Sequence, residues 1–516
     1  MILIPQALFL RLAAAVLTAS LALPVAAQAP PPEFKELQAA SGIQEPGARL
    51  KELERIKAAY PASAVVQVLD SQIMATRVVQ AATLDAVLAL QKDGLAGSVG
   101  MQRFSNFVMV SNQLLEHPKA ASFDKGKVLT ALQGYRNQAQ KALVDPAALA
   151  GLNERSREVL PGMVRDLDLS VARAQFLAGD AAGALTSLDA YSQASGRTSG
   201  VYFLARGEVL EALTRPKDAY EALVGAALEN NKDGLRRARA AYAKLNGKED
   251  GFDAMLEARS RELPFHPAPI KPGPTWTGRA VLAELFTGSE CPPCVAADFA
   301  FDGLLESFPV TALVVLEYHL PIPAPDPMMN PATRRRQDYY GVNSTPSMFF
   351  DGQDKLTGGG GRSMAGTQYK QLAAKVAARL EVAPGVSLKA EALRKGDRIE
   401  VSVALGKAAP EVEFHLALVQ GQQEHKGGNR LLVHKMVVRD IQTLEAAAPK
   451  AAFSLLGLEK ATDAYLSEFE QTSTRFKGFR FPVRRHLISR EGLKVVLFAQ
   501  DRVSKQVLQA VVADVK

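Results

Sequence analysis

Residues 280–294 read Ala-Val-Leu-Ala-Glu-Leu-Phe-Thr-Gly-Ser-Glu-Cys-Pro-Pro-Cys, and Cys291 and Cys294 are the only two cysteines among 516 residues. The apolar run at 280–286 predicts a strand, and the run at 295–308 predicts a helix that begins directly after the second cysteine. Two cysteines three residues apart at the start of a helix are close enough to form a disulfide. The pattern favours a redox dithiol in which Cys291 is the nucleophile and Cys294 resolves the mixed disulfide.

A zinc half-site is the alternative interpretation of Cys-x-x-Cys. Structural zinc normally takes four protein ligands, and the sequence has no second Cys-x-x-Cys motif and no His-x-His cluster to complete such a site. The histidines are scattered along the chain, at positions 117, 266, 319, 415, 425, 434 and 486. We therefore expect no metal, and no cofactor other than a redox-active Cys291–Cys294 disulfide.

The amino terminus, residues 1–29, has the composition of a secretory signal peptide. A single charge at Arg11 precedes an apolar stretch, residues 12–23, and small residues at 27–29 suit cleavage near Ala27–Ala29. The apolar stretch is shorter than the roughly 20 residues that span a bilayer. We expect a secreted or periplasmic protein without a transmembrane span, and an uncleaved anchor is the alternative.

Length and charge limit the classes of function. A chain of 516 residues is too long for one hydrophobic core, so several domains are expected. A formal net charge of +7 is small for this length and gives no indication of nucleic-acid binding. Residues 475–485 interleave basic and aromatic side chains, as nucleic-acid binders do, but in a secreted protein this pattern favours a surface of the β-rich domain or a strip that faces a membrane or a protein partner.

The sequence predicts three domains after the signal peptide. Residues 30–262 have helical apolar spacing, and an echo between 177–185 and 213–220 is close to the tetratricopeptide period of about 34 residues. A tetratricopeptide-like domain that binds protein and a non-repeat helical bundle both fit. Five prolines in residues 263–274 predict an extended linker at 263–275, followed by an α/β domain at 276–382. Alternating apolar residues then predict an antiparallel β-sandwich-like domain at 386–516, interrupted at 444–476.

The segment 276–382 resembles the thioredoxin superfamily. The likeness covers about a fifth of the chain and consists of the strand, the Cys291-Pro-Pro-Cys294 motif, a second strand and helix, and the block Val342-Asn-Ser-Thr-Pro-Ser-Met-Phe-Phe-Asp-Gly352. The pair Thr345-Pro346 is similar to the cis-proline loop of that family. The resemblance implies that Thr345 and Pro346 bind substrate, with the Thr345 backbone paired to an extended substrate chain beside solvent-reachable sulfurs.

Two departures from the family pattern bear on the chemistry. The usual tryptophan before the first cysteine is missing, and a proline-rich stretch is inserted at 319–327. The family often has a buried acid before the motif, so Glu284, one residue further away than usual, is a candidate proton relay to Cys294. A solvated or salt-bridged glutamate is the alternative. Pro292 and Pro293 have no N–H to donate to the Cys291 sulfur, which predicts a weakly stabilised thiolate.

These features predict an extracytoplasmic thiol–disulfide oxidoreductase, a reductase or an isomerase. Its partners would be protein disulfide substrates and a redox partner protein. Two alternatives remain open: an adaptor or assembly protein in which the thioredoxin-like domain is structural, and a thiol reductant for metal or haem delivery.

Overall fold

The structure is a computed structural model, and it describes residues 32–63, 65–195, 198–274, 276–445 and 450–516. The predicted signal peptide, residues 1–29, lies outside the described residues. The chain divides into two compact units, one formed by residues 1–195 and 205–219 and the other by residues 196–204 and 220–516.

The segment from residue 32 to residue 261 is helical in its described part, as predicted. Its helices are α1 (Pro32–Ser41), α2 (Pro46–Ala59), α3 (Val66–Gln80), α4 (Leu84–Ala96), α5 (Gly100–Glu116), α6 (Lys125–Ala142), α7 (Glu154–Leu177), α8 (Ala181–Ser195), α9 (Gly200–Ala212), α10 (Pro216–Leu228), α11 (Lys232–Asn246) and α12 (Phe252–Arg261). Side-chain oxygens of Asp124, Asn153 and Asn231 accept hydrogen bonds from the first turns of α6, α7 and α11, which explains where these helices begin.

A buried hydrogen-bonded glutamine joins three helices of the first unit. Gln91 on α4 donates to the carbonyl of Val110 on α5 (3.1 Å) and accepts from the hydroxyl of Tyr135 on α6 (2.9 Å). Phe104 and Phe107 on α5 are fully buried in the same core. Because a buried amide is costly unless its polar atoms are paired, these bonds favour one relative position of the three helices.

The repeated sequence at 177–185 and 213–220 has a repeated local structure. The amide of Gly179 donates to the carbonyl of Phe176, and the amide of Thr214 donates in the same way to Glu211. Each bond lies in a short turn between two helices, α7 and α8 in the first case and α9 and α10 in the second. The echo in the sequence therefore corresponds to two similar helix–turn–helix units.

The second unit contains the strands of the chain and four further helices in its described part. The strands are β1 (Val281–Thr287), β2 (Leu313–His319), β3 (Ser347–Phe350), β4 (Gln353–Thr357), β5 (Leu388–Lys395), β6 (Arg398–Leu405), β7 (Val412–Glu424), β8 (Val433–Leu444), β9 (Lys450–Ser454), β10 (Leu493–Asp501) and β11 (Val507–Asp514). The helices are α13 (Val295–Ser307), α14 (Pro331–Tyr340), α15 (Ala365–Leu380) and α16 (Leu455–Thr472).

Eight strands form one sheet in the order β11-β10-β7-β8-β2-β1-β3-β4. β1 and β2 are parallel and β3 is antiparallel to β1. Every residue of β1 and β2 is buried, as expected for adjacent parallel strands covered on both faces. Side chains alternate along β1, so Thr287 contacts Asp298 on α13 whereas Glu284 contacts Arg336 on α14.

Only part of the expected C-terminal domain at 386–516 forms a sheet of its own, because four of the seven strands in its described part belong to the central sheet. β8 pairs in parallel with β2 at Val437 and Glu317, so β7, β8, β10 and β11 extend the sheet that contains the cysteine motif. β5, β6 and β9 form a second sheet, and apolar side chains of the two sheets share one core. The sandwich-like packing is therefore present, but the boundary near residue 383 does not separate two sheets.

The proline-rich stretch at 263–275 also differs from the linker that its composition predicts. It has no helix or strand in its described part, but Phe265 stacks on Tyr369 of α15 with ring centroids 4.9 Å apart. The amide of Ile270 donates to the carbonyl of Ser307 at the end of α13 (2.8 Å). The prolines prevent a helix but leave the apolar side chains free to pack, and the second compact unit accordingly includes this stretch together with α11 and α12.

Candidate functional site: a covered disulfide against a cis-proline

Cys291 and Cys294 form a disulfide where β1 leads into α13. The sulfurs are 2.05 Å apart and the Cα atoms 5.3 Å apart. Residues Pro292–Cys294 form a single 3₁₀ turn directly before α13. The amide of Cys294 donates to the carbonyl of Cys291 (3.1 Å), and the two prolines have no N–H, so none of these three residues donates an amide hydrogen bond to the Cys291 sulfur.

A cis peptide bond joins Thr345 and Pro346 immediately before β3. The hydroxyl of Thr345 lies 3.3 Å from Cys291 Sγ and 2.9 Å from the carbonyl oxygen of Ile322. A hydroxyl has one proton, so it can donate to only one of these acceptors at a time. While the disulfide is intact, the carbonyl is the stronger acceptor and takes this hydrogen bond.

Both cysteines are fully buried, contrary to the expectation of solvent-reachable sulfurs. Two loops, which we call the covering loops, hold the motif: residues 358–361 and residues 425–432. The amide of Gly360 donates to the carbonyl of Pro293 (2.7 Å), and the amide of Gly428 donates to Glu290 Oε1 (2.9 Å). A side chain at Gly359 would place its Cβ 1.9 Å from the Pro293 oxygen, so only glycine fits there.

The second covering loop also contacts the turn before Cys291. The amide of Asn429 donates to the carbonyl of Ser289 (2.9 Å), and its side chain donates to the carbonyl of Gly288 (3.2 Å). This loop connects β7 and β8, which belong to the C-terminal extension of the sheet. The extension therefore supplies part of the wall of the site. No pattern in residues 425–432 predicts this contact.

The structure does not bring Glu284 to the sulfurs. Its carboxylate accepts hydrogen bonds from Arg336 Nε (2.7 Å) and Nη2 (2.9 Å). It also accepts from the hydroxyls of Tyr318 (2.8 Å) and Tyr340 (2.6 Å). Both oxygens are thus occupied by a buried ion-pair network on the α14 face of the sheet. The predicted proton relay through Glu284 has no contact to support it, and the salt-bridged alternative describes its geometry.

A different acid lies one helical turn after the motif. Asp298, on α13, is four residues beyond Cys294, and positions four apart share a helix face. It is 6% exposed, and the Thr287 hydroxyl lies 2.9 Å from Oδ2 and 3.1 Å from Oδ1. Burial raises the pKa of Asp298 to about 7, with the Thr287 hydrogen bond opposing the rise. This carboxyl is therefore able to exchange a proton near neutral pH.

Two more acids lie on the same face of the sheet, of which Glu317 is buried and Asp302 is half-buried. Burial raises the pKa of Asp302 to about 6, although Lys435 Nζ is 3.4 Å away. Burial, together with the charges of Asp298 and Asp302, raises the pKa of Glu317 well above its ordinary value. A carboxyl at i+4 from a helix-start cysteine is visible in the sequence, but the burial that makes Asp298 useful depends on α13 packing against β1 and β2.

No group of three or more His, Cys, Asp or Glu side chains among the described residues is arranged to hold a metal ion. Three histidines come close together: the ring centroid of His434 lies 5.0 Å from that of His319 and 6.2 Å from that of His425. Burial lowers the pKa of His434 to about 3, so its imidazole is neutral at physiological pH. The cysteines themselves are bonded to each other and offer no thiolate ligand in this state.

Comparisons with known proteins leave the family open. No protein-family model and no curated protein matches the chain. A solved structure of a tetratricopeptide repeat protein from Parabacteroides merdae aligns with 40% of this chain and 95% of its own, at 14% identity and a TM-score of 0.16. A score that low carries no argument, so the choice between a repeat and a bundle stays a prediction. In the described part of the chain, no helix combines the length and apolarity needed to cross a membrane.

Proposed function

We propose that this protein is an extracytoplasmic thiol–disulfide oxidoreductase of the thioredoxin type, which reduces or isomerises disulfides of other polypeptides. The observation that carries the proposal is the Cys291–Cys294 disulfide lying against a cis Thr345–Pro346 bond, with the Thr345 hydroxyl 3.3 Å from Cys291 Sγ. The parallel β1–β2 pair, the antiparallel β3 and β4, and a helix that starts at Cys294 agree with a thioredoxin-type core.

The proposed cycle is a pair of thiol–disulfide exchanges. A dithiol redox partner protein reduces the Cys291–Cys294 disulfide, supplying two electrons and two protons and becoming a disulfide itself. The Cys291 thiolate then attacks a substrate disulfide, forming a mixed disulfide and releasing one substrate thiolate. Cys294 loses its proton and attacks Cys291 Sγ, which re-forms the internal disulfide and releases the second substrate thiolate.

Thr345 and Asp298 supply the proton chemistry in this proposal. Once Cys291 is a thiolate it is a stronger acceptor than a neutral carbonyl, so the Thr345 hydroxyl turns from Ile322 to the sulfur. That rotation frees the Ile322 carbonyl to accept an N–H of the substrate chain. Asp298, one turn beyond Cys294, accepts the proton that the resolving thiol must lose.

Complete burial of the sulfurs requires the covering loops to move before a polypeptide can reach Cys291. Their glycines, at 358–361 and at 427–428, are suited to such movement because glycine backbone adapts at low cost. Substrate would enter beside Thr345, which is partly exposed, and beside the exposed Pro293.

The first compact unit, here called the helical unit, is proposed to bind protein. A cleft of about 580 Å³ is lined by α2 to α5. Its wall carries both acidic and basic side chains, including Glu54, Lys57, Asp70 and Arg77. A lining that is more apolar than polar and carries charged side chains suits an amphipathic polypeptide segment. This unit would then select clients or the redox partner for the dithiol.

Reduction of insulin disulfides, with dithiothreitol as the electron donor, tests the proposal. The mature protein should accelerate insulin precipitation, and Cys291→Ser should reduce the rate to that of dithiothreitol alone. Equal rates for the wild type and Cys291→Ser would overturn the assignment.

The second candidate is an adaptor in which the disulfide is structural, and the burial of both sulfurs favours it. An adaptor would show no insulin reduction by the wild type. It would instead lose thermal stability when Cys291 and Cys294 are both replaced by alanine, by about 2 kcal/mol because the disulfide closes a very short loop.

A further inference from the structure

The buried pair Asp326 and His319 lies beside the residues that lead into the disulfide, and the proposed cycle does not use it. Both side chains are fully buried. Asp326 Oδ2 accepts from His319 Nδ1 (2.9 Å) and from the amide of Ser289 (2.6 Å), two residues before Cys291. Asp326 Oδ1 accepts from the amide of Met328 (2.8 Å). Three donors thus converge on one carboxylate.

These donors keep the carboxylate ionised. Burial alone raises the pKa of Asp326, but the His319 ring and the two amides outweigh it and hold the pKa below its ordinary range. A buried carboxylate therefore holds its charge close to the cysteine motif, and the His319 ring donates a hydrogen bond to it from Nδ1.

The same carboxylate connects the turn before Cys291 with the loop that contacts Thr345. Asp326 belongs to the loop at 320–330, which also carries the Ile322 carbonyl that accepts from Thr345. By holding Ser289, Asp326 fixes this loop against the turn that precedes Cys291. The Asp326 side chain therefore helps to fix the position of the Thr345 hydroxyl as well as that of the Cys291 sulfur.

We propose that Asp326 and His319 are positioning residues for Cys291: they fix the turn before it, and the Asp326 carboxylate, stabilised by the His319 hydrogen bond, sets the stability of its thiolate. The inference rests on the proposed function, because it concerns the same thiol. It has a consequence that a merely structural pair would not have. Removing the carboxylate charge stabilises the thiolate, whereas removing His319 takes one hydrogen-bond donor from the carboxylate, strengthens its field at the sulfur and destabilises the thiolate.

The test compares Asp326→Asn, His319→Leu and His319→Asn in the full-length protein. The measured quantity is the equilibrium constant for reduction of the Cys291–Cys294 disulfide by two glutathione molecules, which yields the dithiol and glutathione disulfide. Asp326→Asn should raise this constant about tenfold and His319→Leu should lower it about tenfold, a shift of about 30 mV in each direction. His319→Asn, the matched control, keeps an N–H near the Nδ1 position and should stay within about threefold of the wild type.

Shifts of the same sign in Asp326→Asn and His319→Leu, or no shift in either, would overturn the inference. Should His319→Leu fail to fold, the Asp326→Asn constant decides alone, and an unchanged or lowered value counts against the inference. The measurement does not require enzyme activity. A wild type without insulin reductase activity would refute the proposed function, while the two constants would still report on the positioning pair.

Discussion

At the scale of single residues, one hydroxyl proton has two acceptors. The Thr345 hydroxyl is 2.9 Å from the Ile322 carbonyl and 3.3 Å from Cys291 Sγ, and it serves the second only at the expense of the first. Donation to the sulfur is worth most when the sulfur is a thiolate, because hydrogen bonds to charged groups are the stronger ones. Since the amide of Cys294 is bonded to a carbonyl and both intervening residues are prolines, Thr345 is the identified side-chain donor to the thiolate.

Replacing Thr345 with valine should raise the pKa of the Cys291 thiol by about one unit, since a hydrogen bond to a charged group contributes about 1.5–3 kcal/mol and one pKa unit is about 1.4 kcal/mol. The pH dependence of iodoacetamide alkylation of the reduced protein measures this pKa. Thr345→Ser retains the hydroxyl and serves as the control. Identical pH profiles for the valine and serine variants would show that the hydroxyl does not stabilise the thiolate.

A second prediction concerns Asp298, whose raised pKa sets the direction in which mixed-disulfide resolution depends on pH. The carboxyl is protonated below about pH 7 and ionised above it, so it becomes a competent proton acceptor for Cys294 as pH rises. Asp298→Asn should remove the inflection near pH 7 from the rate at which Cys294 resolves a mixed disulfide. Stopped-flow measurement of that step across pH 5–9 gives the comparison, and an inflection that persists in the variant would exclude Asp298.

The same shift has a consequence for stability. Because the folded-state pKa of about 7 lies above the ordinary aspartate pKa of 3.8, the native state binds more protons than the unfolded state between these values. The contribution of this group to the free energy of unfolding is therefore fully present at low pH and is lost as pH rises toward 7. Asp298→Asn, which cannot ionise, should be more stable than the wild type at pH 8, as judged by urea unfolding.

The predictions for Thr345 and for Asp298 differ in how far the sequence alone supports them. The Cys-x-x-Cys pair and the Thr-Pro pair are local motifs, and their contact was predictable from the family resemblance. The position of Glu284 on the strand before the motif predicts a proton relay, but alternation along β1 turns its side chain toward Arg336 and α14. Asp298 follows the motif on the opposite face, and only the packing of α13 against the sheet shows that it is buried.

At the scale of elements, the Glu284 network ties four of them together. Glu284 is on β1, Tyr318 on β2, and Arg336 and Tyr340 on α14, while Arg336 Nη1 also donates to Gln500 on β10 (2.8 Å). The network therefore connects the strands beside the cysteine motif with the C-terminal strands of the same sheet. A buried ion pair of this kind favours one arrangement over others, and it is strongly destabilising when one partner is lost.

Glu284→Gln should lower the free energy of unfolding by roughly 3 kcal/mol, because it leaves the Arg336 charge buried without its partner. The rate of mixed-disulfide resolution should stay within about twofold of the wild type. Urea unfolding and stopped-flow kinetics give the two values. A slowed resolution step with unchanged stability would restore the proton-relay hypothesis for this residue.

Sequence patterns predict where strands and helices lie along the chain better than they predict which strands pair in a sheet. Apolar periodicity predicts strands at 280–286, 310–318 and 347–351 with helices after them, and the structure has the corresponding strands at 281–287, 313–319 and 347–350. The pairing of β2 with β8 joins edges through backbone groups, which leave no side-chain pattern in the sequence. For this reason, a separate C-terminal domain was the natural prediction for strands that in fact continue the central sheet.

At the scale of the whole molecule, the disulfide is enclosed by segments that are far apart in the sequence. The loop at 425–432 comes from the C-terminal extension, the loop at 358–361 precedes α15, and both hold the motif by backbone hydrogen bonds. An enclosed dithiol is protected from non-specific exchange in an oxidising environment. Selection of clients would then depend on what displaces the covering loops, for which the helical unit is the proposed docking element.

The most direct test of the central claim is to trap the covalent intermediate. Cys294→Ser leaves Cys291 without its resolving partner, so incubation of the reduced variant with a disulfide-bonded polypeptide should accumulate a mixed disulfide at Cys291, visible on a non-reducing gel and located by mass spectrometry. Cys291→Ser should accumulate none. Absence of any adduct in Cys294→Ser, or equal adducts in both variants, would contradict thiol–disulfide exchange at Cys291.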